Sequence, residues 1–171
     1  LNRTLIGKNR LTNFVKELNV MENITEKNGD YTITTDKSKM DLKMIHDFLA
    51  NESYWSKNIP FERVEKAVEN SLNFGIFHND KQVGFARVIS DFSTIAYLGD
   101  LFVLKEHRGK GLARWLLEQV MNYPELKGLR RWILLTKEAH DLYQQYGWTM
   151  VARPESWMEI HDPGVYTPEE S

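Results

Sequence analysis

The stretch Leu98 to Val120, LGDLFVLKEHRGKGLARWLLEQV, constrains the fold of this chain more than any other. An apolar segment rich in strand formers passes through Arg108-Gly109-Lys110-Gly111 into a segment with Leu112, Trp115, Leu116, Leu117 and Val120 at helical spacing. A strand therefore hands over to an amphipathic helix across a basic, glycine-rich turn. The helix must end near Tyr123-Pro124, and the short apolar run Trp132 to Leu135 reads as a buried strand. Strand, helix and strand in that order make a crossover, which calls for a parallel strand pair.

The rest of the chain surrounds this unit with antiparallel elements. Asn28-Gly29-Asp30 is a turn signal, and Tyr31 to Thr35 alternates as a first strand. Asp41 to Ala50 carries Leu42, Ile45, Phe48 and Leu49 at helical spacing, and Phe61, Val64, Ala67, Val68 and Leu72 repeat the pattern after a loop containing Tyr54 and Trp55. Phe74 to His78 and Gln82 to Ser90 flank Asn79-Asp80-Lys81 as a hairpin, and Thr94 to Leu104 returns as a long third strand. Ala139 to Tyr146 reads as a short helix stopped by Gly147, with Trp148 to Val151 and Trp157 to Ile160 as terminal strands. The expected class is α/β (α+β): a mixed, mostly antiparallel central sheet flanked by helices. Residues 30–161 form the one domain, 1–29 an N-terminal extension and 162–171 a tail. The first twenty residues are polar with a faint helical pattern, and a natural start at Met21 would make them an addition to the native chain.

Composition narrows the function. A formal charge of -2 over 171 residues gives no global positive field for nucleic acid or an anionic membrane surface, so any anion site must be local. With no cysteine, disulfides, thiolate metal sites and cysteine nucleophiles are excluded, which fits a cytoplasmic setting. No apolar run reaches the roughly 18 residues that span a bilayer. His46, His78, His107 and His161 show no metal-ligand spacing with acidic partners, so no metal is expected.

The basic turn has a chemical reading of its own. A helix N-terminus carries unpartnered backbone N–H groups and the positive end of the helix dipole, and an anion satisfies both. Gly109 and Gly111 let phosphate oxygens approach the backbone, while Arg108 and Lys110 add charge. G-x-x-x-x-G-K-[ST] is absent, and G-x-G lacks the third spaced glycine of a dinucleotide fingerprint. What remains is R/Q-x-x-G-x-G/A, filled by Arg108-Gly109-Lys110-Gly111-Leu112-Ala113.

On these residues the chain resembles the GCN5-related N-acetyltransferase (GNAT) family. Ala139-His140-Asp141-Leu142-Tyr143-Gln144-Gln145-Tyr146-Gly147-Trp148 extends the resemblance, being similar to the family's A-x-x-L-Y-x-x-x-G-F with Trp148 for the final Phe. The resemblance spans roughly Tyr31 to Ile160 by element order, and it implies a V-splayed sheet and acetyl-CoA as cosubstrate. By the same resemblance Arg108, Gly109, Lys110, Gly111, Leu112 and Ala113 would hold the pyrophosphate, and Leu101, Phe102 and Val103 the pantetheine arm. Thr136 stands where many relatives have a coenzyme-contacting Asn. Tyr143 would donate a proton to the departing thiolate, a role a positioned phenol can fill. Tyr54 and Trp55 lie where the family shapes its acceptor pocket.

Asp100 is a charge among Tyr97, Leu98, Gly99 and Leu101, and such a charge requires explanation. Strand alternation puts it with Phe102 on one face and Leu101 with Val103 on the other, making it a candidate base or substrate-orienting group. His140 is a second proton carrier. The expected reaction is acetyl transfer from acetyl-CoA to a primary amine, on a small molecule or a peptide, by direct attack in a ternary complex. The competing class is a non-catalytic acyl-CoA-binding or regulatory module of the same fold. A third is another phosphorylated ligand on an unrelated α/β fold. Oligomeric state is not indicated.

Overall fold

A computed structural model describes residues 22–167 of the chain. Six strands follow one another across a single sheet in sequence order: β1 (Thr25–Asn28), β2 (Tyr31–Thr34), β3 (Leu72–His78), β4 (Lys81–Ser90), β5 (Ile95–Val103) and β6 (Arg131–Leu134). Every neighbouring pair is antiparallel except β5 and β6. That one parallel pair is the consequence of the helix inserted between its strands. Four helices complete the fold: α1 (Leu42–Asn51), α2 (Phe61–Glu69), α3 (Leu112–Asn122) and α4 (His140–Gln144).

Alternation along the strands sends side chains to two cores. One holds Phe74, Ala86, Val88, Ala96 and Leu98 against Leu112, Leu116, Leu117 and Val120 of α3. The other holds Phe85 and Phe102 against Ile45, Phe48 and Leu49 of α1 and Val64 and Val68 of α2. Phe48 stacks flat on Phe102, ring centroids 3.7 Å apart, so α1 is fixed directly over β5. Asp41 caps α1 by accepting from the Met44 N–H at 3.0 Å, while its own N–H donates to the buried Gln82 side chain at 2.7 Å.

The structure departs from the sequence pattern in several places, among them β6, which is only half-buried and leaves Leu135 exposed instead of forming a buried strand from Trp132 to Leu135. Leu72 belongs to β3, opposite Val88, rather than to α2. The helix stops because the buried Asn73 amide donates to the Val68 carbonyl at 2.8 Å and turns the chain. Residues 25–28 form a strand with all four residues exposed, so no hydrophobic alternation marks it. Trp148 to Val151 and Trp157 to Ile160 are not strands: they pair with nothing, and Met150, Met158 and Ile160 face solvent. In addition α4 is shorter than Ala139 to Tyr146, although Gly147 takes the left-handed φ of +82° expected at its end. The expectation for residues 1–20 lies outside the described residues.

Candidate active site

The site begins with an irregularity in β5. Between the pairs Phe85↔Phe102 and Arg87↔Gly99 the register shifts, so Ala86 of β4 faces both Asp100 and Leu101 of β5. This is a β-bulge, and Asp100 sits in it with φ +53°. Gly99 and Asp supply the backbone tolerance such a kink needs. Below it Ala96 and Leu98 face the α3 core; above it Phe102, an even number of residues on, faces the α1/α2 core. Past the bulge the expected alternation holds, with Asp100 and Phe102 on one face and Leu101 and Val103 on the other.

The bulge coincides with a parting of strands. β5 pairs with β6 from Ile95↔Arg131 to Leu98↔Leu134, where β6 ends, while β5 continues to Val103. Residues 99–103 thus present a strand edge with no partner on the β6 side among the described residues. Unpaired N–H and C=O groups along such an edge can hydrogen bond an extended ligand. The side chains of Phe102 and Val103 are core, so what this segment offers a ligand is backbone.

At the upper end of the edge stands the basic turn. Gly109 and Gly111 have φ of +74° and +77°, and a Cβ on either would meet nothing within 4 Å, so the loop is open to solvent on its glycine side. Gly111 caps α3 without a side-chain bond, and the first helical bond runs from the Trp115 N–H to the Gly111 carbonyl at 3.0 Å. The N–H groups of Leu112, Ala113 and Arg114 thereby lack helical acceptors. Arg108 is positioned by its Nε donating to the Val103 carbonyl at 2.8 Å. Lys110 donates to the Tyr31 hydroxyl at 3.0 Å, and that hydroxyl lies 2.9 Å from His107 Nδ1. Burial, then the Lys110 charge, holds the His107 pKa below its usual value.

At the other end α4 brings Tyr143 to the cleft. Its side chain is only 9% exposed, and among the described residues its hydroxyl makes no hydrogen bond. Burial first, then Tyr54 and Tyr97, push its pKa up to about 12. It therefore keeps its proton at any ordinary pH. α4 is held to α3 by the Tyr146 hydroxyl donating to Glu118 at 2.7 Å.

The loop between α1 and α2 spans the cleft from the opposite face. The Tyr54 hydroxyl accepts from the Lys137 N–H at 3.0 Å, and Trp55 Nε1 donates to Asp100 Oδ1 at 3.0 Å. Asp100 Oδ2 accepts from Arg87 Nε at 2.7 Å, with side chains 10% and 17% exposed respectively. This buried pair explains the charge on the strand. Tyr97 lies beside it, its pKa raised by burial and by Asp100. A Cβ on Gly99 would come within 3.0 Å of the Tyr97 ring, so glycine makes room for it.

Tyr54, Trp55, Asp100 and Tyr143 are thus brought to one place. Thr136 instead accepts from the Ala139 N–H at 3.1 Å and steadies the turn into α4. His140 is exposed at the start of α4. Arg87 and Tyr97 escaped sequence reasoning, although Arg87 is the lone charge in VGFARVI and could have been paired with Asp100 on that ground.

The arrangement thus combines a parallel pair that parts past Leu98↔Leu134, a basic glycine turn at one end of the freed edge and a mostly buried phenol at the cleft. The acetyltransferase (GNAT) family model matches residues 42–148, and the chain belongs to that family. A candidate acetyltransferase of Gibberella zeae is 31% identical over 137 residues, covering 67% of this chain and 76% of that one. The thialysine N-epsilon-acetyltransferase of Caenorhabditis elegans is 26% identical over 145 residues, covering 78% and 91%. A crystal structure of a candidate GNAT acetyltransferase from Xanthomonas campestris is 48% identical with a TM-score of 0.79, covering 81% of this chain and 97% of that one.

Proposed function

We propose that the protein transfers the acetyl group of acetyl-CoA to a primary amine by direct attack in a ternary complex. The observation that carries this reading is the coincidence, within one cleft, of the unpaired β5 edge, the basic turn and the unbonded Tyr143 hydroxyl. In this reading the turn residues Arg108 to Ala113 bind the pyrophosphate and the 99–103 edge aligns the pantetheine arm. The amine nitrogen bonds to the acetyl carbonyl carbon, the carbon–sulfur bond breaks, and Tyr143 gives its proton to the leaving thiolate. The amine proton passes to water, and a proton from solvent restores the Tyr143 phenol. Asp100, with both oxygens engaged by Trp55 and Arg87, takes the orienting role of the two open to it. Thialysine, the substrate in one relative's name, is an amine on a small molecule, which favours a small-molecule acceptor. An acetyl-CoA-dependent reaction in a chain without cysteine fits the cytoplasm.

Steady-state acetylation of an amine panel, beside coenzyme affinity by calorimetry, tests the reading. Tyr143→Phe is expected to lower kcat by about 10²-fold or more, the usual scale for a lost general acid, with coenzyme affinity nearly unchanged. Tight coenzyme binding with no acetylated amine would indicate instead a module without turnover. Equal kcat in the variant would remove Tyr143 as the acid.

A further inference from the structure

A cavity of about 310 Å³ opens on the α1/α2 face of the sheet, and its lining reaches Arg87 and Asp100. Ser56 also lines it, directly after Trp55 whose indole bonds Asp100, so the cavity adjoins the acceptor side of the cleft. Its charged lining comprises Arg63 and Lys66 of α2, Arg87 and Asp100, and Tyr166 of the C-terminal segment adds a hydroxyl. Arg87 and Asp100 neutralise one another. Neither Arg63 nor Lys66 forms an ion pair among the described residues, and the α2 glutamates Glu62, Glu65 and Glu69 do not line the cavity. The lining therefore carries two cations beyond the neutralised pair, both on exposed residues of α2, in a space at the small end of ligand pockets.

Such a cavity repels a simple diamine and attracts an anion, and Arg63 can hold a planar carboxylate in a forked pair. We infer that the acceptor is an amine that also bears a carboxylate, bound by Arg63 and Lys66 while the amine reaches the cleft past Asp100. This inference rests on the acetyl-transfer reading for its reaction, but not for its binding chemistry. The carboxylate belongs either to a free amino acid or to the end of a peptide.

The test compares each amino acid with its decarboxylated counterpart: L-lysine with cadaverine, L-ornithine with putrescine, L-phenylalanine with phenethylamine, and a short lysine-terminated peptide with its C-terminal amide. At least one carboxylate-bearing member is expected to exceed its partner in kcat/KM by about tenfold, the scale of one charge-assisted contact. Arg63→Gln is expected to close most of that gap through KM, with Arg63→Lys restoring part of it. Equal or better turnover of every decarboxylated partner would overturn the inference. So would an Arg63→Gln variant that lowers both members alike. If no amine is acetylated, the transfer reading fails, and calorimetry with CoA present decides the inference by itself. Tighter binding of a carboxylate-bearing member, weakened in Arg63→Gln, supports it; no difference in any pair overturns it.

Discussion

Tyr143 offers a prediction whose size follows from its burial. In the folded chain its pKa is pushed up to about 12, against about 10 for a tyrosine in the unfolded chain. Between those values the unfolded state has released a proton that the folded state keeps, so stability falls as pH rises. The contribution is fully present below pH ~10 and is lost as the pH passes through the folded value near 12. From pH 9 to pH 11 the two-state linkage expression gives a loss of about 1 kcal/mol from this one group. Other tyrosines and lysines titrate in the same range, so the perturbation that isolates it is Tyr143→Phe, which removes the proton but keeps the ring. Urea unfolding of both proteins at pH 9 and pH 11 gives the comparison. The native chain should lose about 1 kcal/mol more than the variant. Parallel losses in the two proteins would refute the reasoning, because Tyr143 would then titrate as in the unfolded chain and could not be described as a buried phenol at the cleft.

Three further outcomes are expected. Arg87→Met leaves the largely covered Asp100 carboxylate with only the Trp55 donor, so unfolding free energy should fall by about 1–3 kcal/mol, and Asp100→Asn, which tolerates the positive φ, should recover part of the loss when added to it; strictly additive losses in a urea-based double-mutant cycle would contradict the pairing. Asp100→Asn should leave the acidic limb of the kcat/KM pH profile in place, since the carboxylate orients rather than accepts the proton, and loss of that limb would make it the base. Gly111→Val places a branched residue at φ +77°, which should lower stability by about 1–2 kcal/mol and coenzyme affinity by about tenfold or more. Calorimetry showing unchanged coenzyme affinity would take the turn out of the binding site.

The parts of this fold that were readable in the sequence are those where packing and local chemistry agree. The β3–β4 hairpin turns at Asn79, whose φ of +53° suits asparagine. The apolar face of α3 buries Leu112, Leu116, Leu117 and Val120 as its spacing requires. Local pattern failed where it had no partner in space. Trp148 to Val151 and Trp157 to Ile160 alternate well enough for strands, yet no described strand pairs with them, and apart from Trp148, which packs on the core, their apolar side chains stay exposed; β1 does the reverse, pairing with β2 without an apolar residue. In the candidate site, the places of Arg108 to Ala113 at a helix start and of Tyr143 on a short helix were legible because spacing marks them, and their chemical roles are proposals. The bulge at Asp100, the Arg87 ion pair and the cation-lined cavity were not, because each depends on which residue of β4 or α2 lies across from β5.

Amide hydrogen exchange of the full chain, with and without acetyl-CoA, tests the central claim most directly, since it reads where on the sheet the coenzyme lies. Slowed exchange confined to the edge at 99–103 and the turn at 108–113, with β1 and β2 unchanged, is the predicted result. Unchanged exchange in both segments at a coenzyme concentration that saturates binding would contradict the account.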